Sequence, residues 1–253
     1  MEWRGEKMIN ELAKKLRLPY LREESEDFIQ EANAMNLTPQ ETLELALDRE
    51  LRRREDNSQK RRIKDARFQY KKYLTDYDYS VFSRETRNKL KELEDLAFIN
   101  KQENAILIGN PGTGKTHFAI GLGIEACIKG YSVLFANAPN LVIQLKEEVA
   151  RSQYVRFKTR FEKADLVIID ELGYISFDEV GSELLFNLLS NRNNKGSLLI
   201  TTNLTFDGWE ECFVNSTLAG ALVDRLAYKA HVVDMRGDSY RVKQTSKWLE
   251  KAT

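Results

Sequence analysis

One stretch constrains this chain more than any other: Gly109-Asn110-Pro111-Gly112-Thr113-Gly114-Lys115-Thr116. Its spacing fits G-x-x-x-x-G-K-[ST], a loop whose backbone N–H groups cradle phosphates. The flanks supply the context such a loop needs. Ala105 to Ile108 is an apolar run of buried-strand length. From Thr116 onward Phe118, Ala119, Leu122, Ala126 and Ile128 recur at helical spacing. Gly112 and Gly114 permit the sharp turn between them. The helix that follows presents free N–H groups and the positive end of its dipole to bound anions. Residues Gly109 to Thr116, with His117 adjoining, are therefore the expected ATP cradle. Lys115 would reach the β- and γ-phosphates, and the Thr116 hydroxyl would ligate Mg²⁺.

A second acid-bearing strand follows. Leu166-Val167-Ile168-Ile169 ends in Asp170-Glu171. Four apolar residues read as a buried parallel strand that delivers the two acids to the crevice at its C-terminal end. Asp170 is placed to hold Mg²⁺, directly or through water. Glu171 is placed to deprotonate a water for attack on the γ-phosphate. Asn203 closes another apolar strand, Ser197–Thr202, where its amide could position that water; a plain strand terminator is the alternative. Further strands are expected at Tyr131–Phe135 and His231–Asp234. Helices are expected over Arg84–Phe98, after Pro139, around Leu184–Leu189 and over Leu218–Tyr228. Strands alternating with helices imply an α/β fold with a parallel sheet and right-handed crossovers. Gly121-Leu122-Gly123 lies inside a helix and is no second fingerprint, and His117 and His231 read as structural.

The first third reads as a small all-helical region. Met8, Ile9, Leu12 and Leu16 form one stripe, and Leu21, Phe28, Ile29, Ala32 and Met35 a second. Thr38-Pro39-Gln40-Glu41 is a capping box that opens a third helix, with Leu43, Leu45, Ala46, Leu47 and Leu51 as its expected buried face. Overall charge is balanced, with 39 Lys/Arg against 39 Asp/Glu, but its distribution is not. Residues 1–48 carry 6 basic and 11 acidic side chains, a net of −5; residues 49–72 carry 11 basic and 4 acidic, a net of +7. Arg49, Arg52, Arg53, Arg54, Lys60, Arg61, Arg62 and Lys64 are the candidate contacts to duplex DNA, since clustered cations on a helix neutralise phosphates without reading sequence. A solvated helix face is the bland alternative. The division expected is 1–75, helical and DNA-binding, and 76–253, the ATPase domain. Two cysteines form no disulfide framework. With no bilayer-length apolar run and no signal-peptide core, a cytoplasmic location and no membrane are expected.

The combined motifs resemble the IstB/DnaC branch of AAA+ ATPases, and within it the IstB-type helper ATPases of insertion sequences. The resemblance rests on Gly109 to Ala119, Asp170-Glu171-Leu172-Gly173-Tyr174, Thr201-Thr202-Asn203, Asp224-Arg225-Leu226 and Gly237-Asp238-Ser239-Tyr240-Arg241. It extends more weakly through Leu16-Arg17-Leu18-Pro19 and Tyr77-Asp78-Tyr79. It implies an AAA+ sheet flanked by helices. It also implies that Arg225 is an arginine finger reaching a neighbouring subunit's nucleotide and that Arg241 is a sensor arginine. The stretch after Arg241 is short, so the helical lid of larger relatives is expected to be absent. The implied function is an ATP-hydrolysing homo-oligomer on duplex DNA that presents target DNA to a transposase. A replicative helicase loader is the alternative. A metabolic P-loop kinase is a further rival, disfavoured because the chain shows no lid and the Asp-Glu pair suits attack by water.

Overall fold

The computed structural model describes residues 5–192, 195–237, 239, 240, 245 and 248. By packing the chain separates into two units, Met1–Arg61 and Arg62–Thr253. The division falls earlier than residue 75 because residues 62–75 pack into the α/β unit. Ala66 is fully buried there, with Phe68 and Leu74 against the same core. Arg62 Nε donates to the Cys127 carbonyl at 2.7 Å. Gly121 and Gly123 permit this close approach: a Cβ would meet Leu74 Cδ2 at 2.8 Å at the first and Phe68 Cε1 at 2.9 Å at the second.

In the first unit, α1 (Gly5–Leu16) is followed by α2 (Pro19–Ala34), with Pro19 in its first turn, where a missing N–H costs nothing. The third helix, α3 (Pro39–Ala66), begins on the expected capping box: Thr38 N donates to Glu41 Oε2 at 2.8 Å and Glu41 N to Thr38 Oγ1 at 3.3 Å. It runs on through the basic stretch, as its sequence suggested. Its buried face differs from the expected one. Ala46 is buried and Leu45 half-buried, but Leu43, Leu47 and Leu51 are all more than half exposed. The inward positions are taken by charge. Glu50 is buried and accepts from Tyr20 N at 2.9 Å and Leu21 N at 3.3 Å, satisfying free N–H groups in the first turn of α2.

The second unit holds a five-stranded sheet: β1 (Asn104–Ile108), β2 (Val133–Asn137), β3 (Leu166–Leu172), β4 (Ser197–Thr202) and β5 (Ala230–Asp234). Their order is β2-β3-β4-β1-β5, and every pairing is parallel. Such strands are buried on both faces, hence their near-continuous apolar runs. Helices α4 (Arg84–Glu94) and α5 (Ala97–Asn100) replace the single helix expected over 84–98, because Leu96 adopts a left-handed φ of 65° between them. Then come α6 (Lys115–Ile128), α7 (Ala138–Ala150), α8 (Tyr154–Lys163), α9 (Glu179–Ser190) and α10 (Ser216–Ala227). Two apolar cores form, one containing α6 and the segment 66–82, the other α7, α9 and α10. The buried Arg192 fastens the second: it donates to the carbonyls of Phe161 (2.5 Å), Ala164 (2.5 Å) and Ser197 (3.2 Å). Burial pulls the pKa of its guanidinium down to about 10. Both cysteines are free and buried. Among the described residues no helix is long and apolar enough to cross a membrane.

Candidate nucleotide site

The site forms where β1 ends. β1 is flanked by β4 and β5, whose ends fix the loop's entry: Gly109 N donates to Thr202 O at 3.1 Å and Met235 N to Ile108 O at 2.6 Å. The loop then turns through Gly112 (φ +84°) and Gly114 (φ +93°), conformations that side chains other than glycine rarely adopt. Space is also limiting. A Cβ on Gly109 would lie 2.6 Å from the Met235 carbonyl oxygen. Lys115, buried at the first turn of α6, donates to the carbonyls of Gly109 at 2.6 Å and Asn110 at 2.8 Å. Its ammonium is thus held over the concavity of the loop.

The two acids converge on this loop through a backbone irregularity. Successive side chains of a regular strand point to opposite faces, so Asp170 and Glu171 would diverge. Instead the β3–β4 register shifts between Ile169 and Leu172, and Glu171 takes a left-handed φ of 61°. For a non-glycine residue that conformation costs on the order of 1–2 kcal/mol. A bulge of this kind re-aims a side chain, and such strain concentrates at functional sites. Asp170, buried, accepts from Thr116 Oγ1 at 2.9 Å and from Thr201 Oγ1 at 2.6 Å. Burial pushes its carboxyl above the usual range, and the two hydroxyls pull it back in part. Glu171 N donates to Thr201 Oγ1 at 2.9 Å, and its Oε2 accepts from Asn137 Nδ2 at 2.7 Å. Asn203 stands just past the end of β4, its Oδ1 buried without a hydrogen-bond partner.

Sequence reasoning missed Asn137 and Thr201. Asn137 ends β2 as Asn203 follows β4, and it also caps α7. A polar residue at the C-terminal end of a parallel strand was the available signal.

A cavity of about 460 Å³ opens over the loop. Residues 111–117, Glu171 and Tyr174 line it together with Tyr70, Lys72, Asp76, Tyr77, Asp78 and Val81. Residue 240 also lines it, and Tyr240 N donates to Gly112 O at 3.0 Å. Arg241 lies outside the described residues. His117 packs at the cavity edge, its Nε2 3.1 Å from the Tyr73 carbonyl oxygen.

A model of the family described as IstB-like ATP binding protein matches residues 11–248. The chain belongs to the IstB-like ATP-binding protein family. It is 34% identical to the ATP-binding protein assigned to insertion sequence IS21 of Pseudomonas aeruginosa, over 93% of this chain and 89% of that protein. It is 31% identical to the counterpart from IS5376 of Geobacillus stearothermophilus, over 93% and 94%. Among solved structures, AMPPCP-bound DnaA from Aquifex aeolicus superposes with a TM-score of 0.56 at 18% identity, covering 71% of this chain and 55% of that one. The DnaC helicase loader gives 0.54 at 18%, covering 69% and 98%. These place the IstB-like chain in the AAA+ ATPase fold.

The residues fit a magnesium–triphosphate ligand. The positive-φ glycines turn the loop so that its backbone N–H groups can face an anion, Lys115 supplies the cation, and Thr116 with Asp170 supplies two oxygen donors. Among the described residues no three His, Cys, Asp or Glu side chains converge into a metal cage. Mg²⁺ is ordinarily bound by one or two carboxylates together with substrate phosphates, and Asp170 beside Thr116 supplies one such carboxylate.

Arg225 is remote from its own loop. It lies in the last turn of α10, its guanidinium 5.2 Å from the Phe186 ring, beside a cleft lined by Asn104 and Arg192. Asn104 begins β1, whereas the loop leaves its far end, roughly 13 Å along the strand at about 3.3 Å per residue.

The eight candidate DNA contacts divide into two groups. Arg49 pairs with Glu31 at 2.5 Å and donates to Tyr20 Oη at 2.8 Å. Arg53 pairs with Glu24. Arg54 pairs with Glu50 at 3.2 Å and donates to the Arg17 carbonyl at 2.9 Å. Arg62 is engaged with the Cys127 carbonyl. These four hold the fold together locally. Arg52, Lys60, Arg61 and Lys64 are exposed or half-exposed, Arg52 with an i,i+4 pair to Asp48 at 2.9 Å.

Proposed function

We propose that this chain is an ATP-driven assembly switch on DNA. It would oligomerise on duplex DNA in its ATP state, present that DNA to the transposase of its insertion sequence, and hydrolyse ATP to ADP and phosphate. The observation carrying the proposal is the convergence of Lys115, Thr116, Asp170 and Glu171 at one end of the sheet, aided by the bulge at Glu171. Relatives assigned to insertion sequences supply the context for the transposase.

In this mechanism Lys115 leaves the Gly109 and Asn110 carbonyls for the β- and γ-phosphate oxygens. Thr116 and Asp170 would hold Mg²⁺, which neutralises phosphate charge when bound. The Glu171 carboxylate accepts the proton of a water as that water attacks the γ-phosphorus, while the Asn203 amide orients it. The bond to the β–γ bridging oxygen breaks, and ADP leaves. The hydrogen bond from Asn137 holds Glu171 in place between turnovers. Arg225, remote from its own loop, would complete a neighbour's site. That coupling would make assembly depend on nucleotide. An array of α3 helices would then neutralise DNA phosphates through Arg52, Lys60, Arg61 and Lys64. Bending a short site costs on the order of 1–6 kcal/mol, offset by the added phosphate contacts.

The test is strand transfer into a plasmid target by the cognate transposase, with and without this protein and ATP. Stimulation that requires both supports the proposal. No stimulation, together with tight binding to a replicative helicase, would assign the chain to helicase loading instead.

A further inference from the structure

Tyr77 is an anomaly in the wall of the cavity. Its ring sits in an aromatic nest: Phe82 is stacked at 6.2 Å between centroids, and Tyr79, His117 and Phe118 meet it edge-on at 4.9, 5.1 and 5.4 Å. Phenylalanine would fill that nest equally well. The hydroxyl adds nothing to the packing: Tyr77 is 8% exposed, and its Oη is buried with no hydrogen-bond partner. A buried tyrosine hydroxyl ordinarily finds one, and leaving it unpaired costs stability. The location of the orphan is specific. A Cβ built on Gly114 would lie 3.0 Å from it, so the hydroxyl rests against the residue that opens α6. Tyr77 lines the cavity together with Gly114, Lys115, Thr116 and His117, whose N–H groups head the helix. Burial pushes the phenol well above its usual range, with Tyr79 and Asp78 adding to the effect, so the group is a neutral donor at all working pH values.

We infer that the Tyr77 hydroxyl is a ligand group of the nucleotide site, donating its hydrogen bond to a phosphate oxygen that lies over the N-terminus of α6. The inference rests on the nucleotide reading of the cavity and extends it to the wall formed by residues 70–81. The Tyr77 hydroxyl lies against Gly114, within the glycine loop whose backbone N–H groups cradle the α- and β-phosphates. The oxygen it meets therefore belongs to the part of the nucleotide that ATP and ADP share. Binding would satisfy the orphan and fasten the segment that carries Leu74 and Tyr77 to the head of α6.

The experiment compares wild type, Tyr77→Phe and Lys115→Ala in the full-length chain by calorimetric titration with Mg-ATP and Mg-ADP, and by thermal unfolding with and without nucleotide. Tyr77→Phe keeps the ring, so it removes the hydroxyl alone. ATP and ADP affinities should fall by the same factor, about tenfold, as expected for losing a hydrogen bond to a charged group. Without nucleotide the variant should melt at the same temperature as wild type or higher, because an unpaired buried group is gone. Undiminished affinity for both nucleotides would overturn the inference while leaving the nucleotide reading intact. A lower melting temperature without nucleotide would also overturn it, since the hydroxyl would then have a structural partner. Failure of wild type itself to bind either nucleotide, or full binding by Lys115→Ala, would remove the nucleotide reading and this inference with it.

Discussion

The head of α6 and the basic half of α3 both concentrate charge, and they handle it in opposite ways. At α6, Lys115 and Asp170 are 4% and 1% exposed, and each is held by named partners within 2.6–2.9 Å. On α3 the cations line a largely exposed helix, and five of the eight candidates are engaged by carboxylates or carbonyls, Arg52 only by an exposed i,i+4 pair. Burying a charge is strongly unfavourable unless it is compensated, so its placement is informative. Exposed charge is tolerated almost anywhere, so a run of it says far less about function.

The largest effect expected from this contrast is at Glu171. Glu171→Gln keeps the side chain's shape and its contact with Asn137 but cannot accept a proton. Phosphate release should fall about 10²- to 10⁴-fold while ATP still binds. Turnover near the wild-type rate would assign the base elsewhere.

The second prediction separates the two groups of cations on α3. Reversing Arg52, Lys60, Arg61 and Lys64 to Glu should weaken duplex binding steeply. It should also flatten the dependence of log affinity on log salt by about 0.9 for each DNA phosphate no longer neutralised. Thermal stability should change little. Arg53→Ala and Arg54→Ala should do the reverse, lowering the melting temperature of the first unit by removing the pairs with Glu24 and Glu50. Equal weakening of DNA binding by both sets would erase the distinction.

A smaller effect concerns the buried acid. The folded-state pKa of Asp170 is raised by burial, so the native protein binds its proton more tightly than the unfolded chain does. Its contribution to stability therefore falls as pH rises from the unfolded value of about 3.9 through the raised native one. Asp170→Asn should remove that pH-dependent penalty and raise the ligand-free melting temperature at neutral pH, while Mg²⁺-dependent ATP binding is lost. Destabilisation by this variant would show that the carboxylate stabilises the fold on balance. The smallest effect is at Asn137. Asn137→Ala frees Glu171 Oε2, and basal hydrolysis without DNA should rise several-fold with KM unchanged; a fall would mean the amide positions Glu171 productively.

The same contrast explains what could be read from the sequence. The loop, its strand and its helix were legible because glycine spacing and apolar runs encode them locally. So were the parallel sheet and the capping box of α3. The bulge that turns Glu171 was not, because a shift in register is a property of two strands. Nor was Asn137, whose role depends on β2 lying beside β3. α8 escaped notice because basic residues crowd its apolar ones. On α3, periodicity placed Leu43, Leu47 and Leu51 inside. The fold instead buries Glu50, whose carboxylate meets the N–H groups of α2, a long-range partner that no pattern of hydrophobicity reveals.

The most direct test of the assembly switch is the mass of the protein on a duplex of defined length, measured by sedimentation velocity with ATP, with ADP and with no nucleotide. A multimer on DNA that needs ATP, and that Lys115→Ala and Arg225→Ala both fail to form, is the expected result. Multimers of the same size on DNA in all three conditions would contradict it.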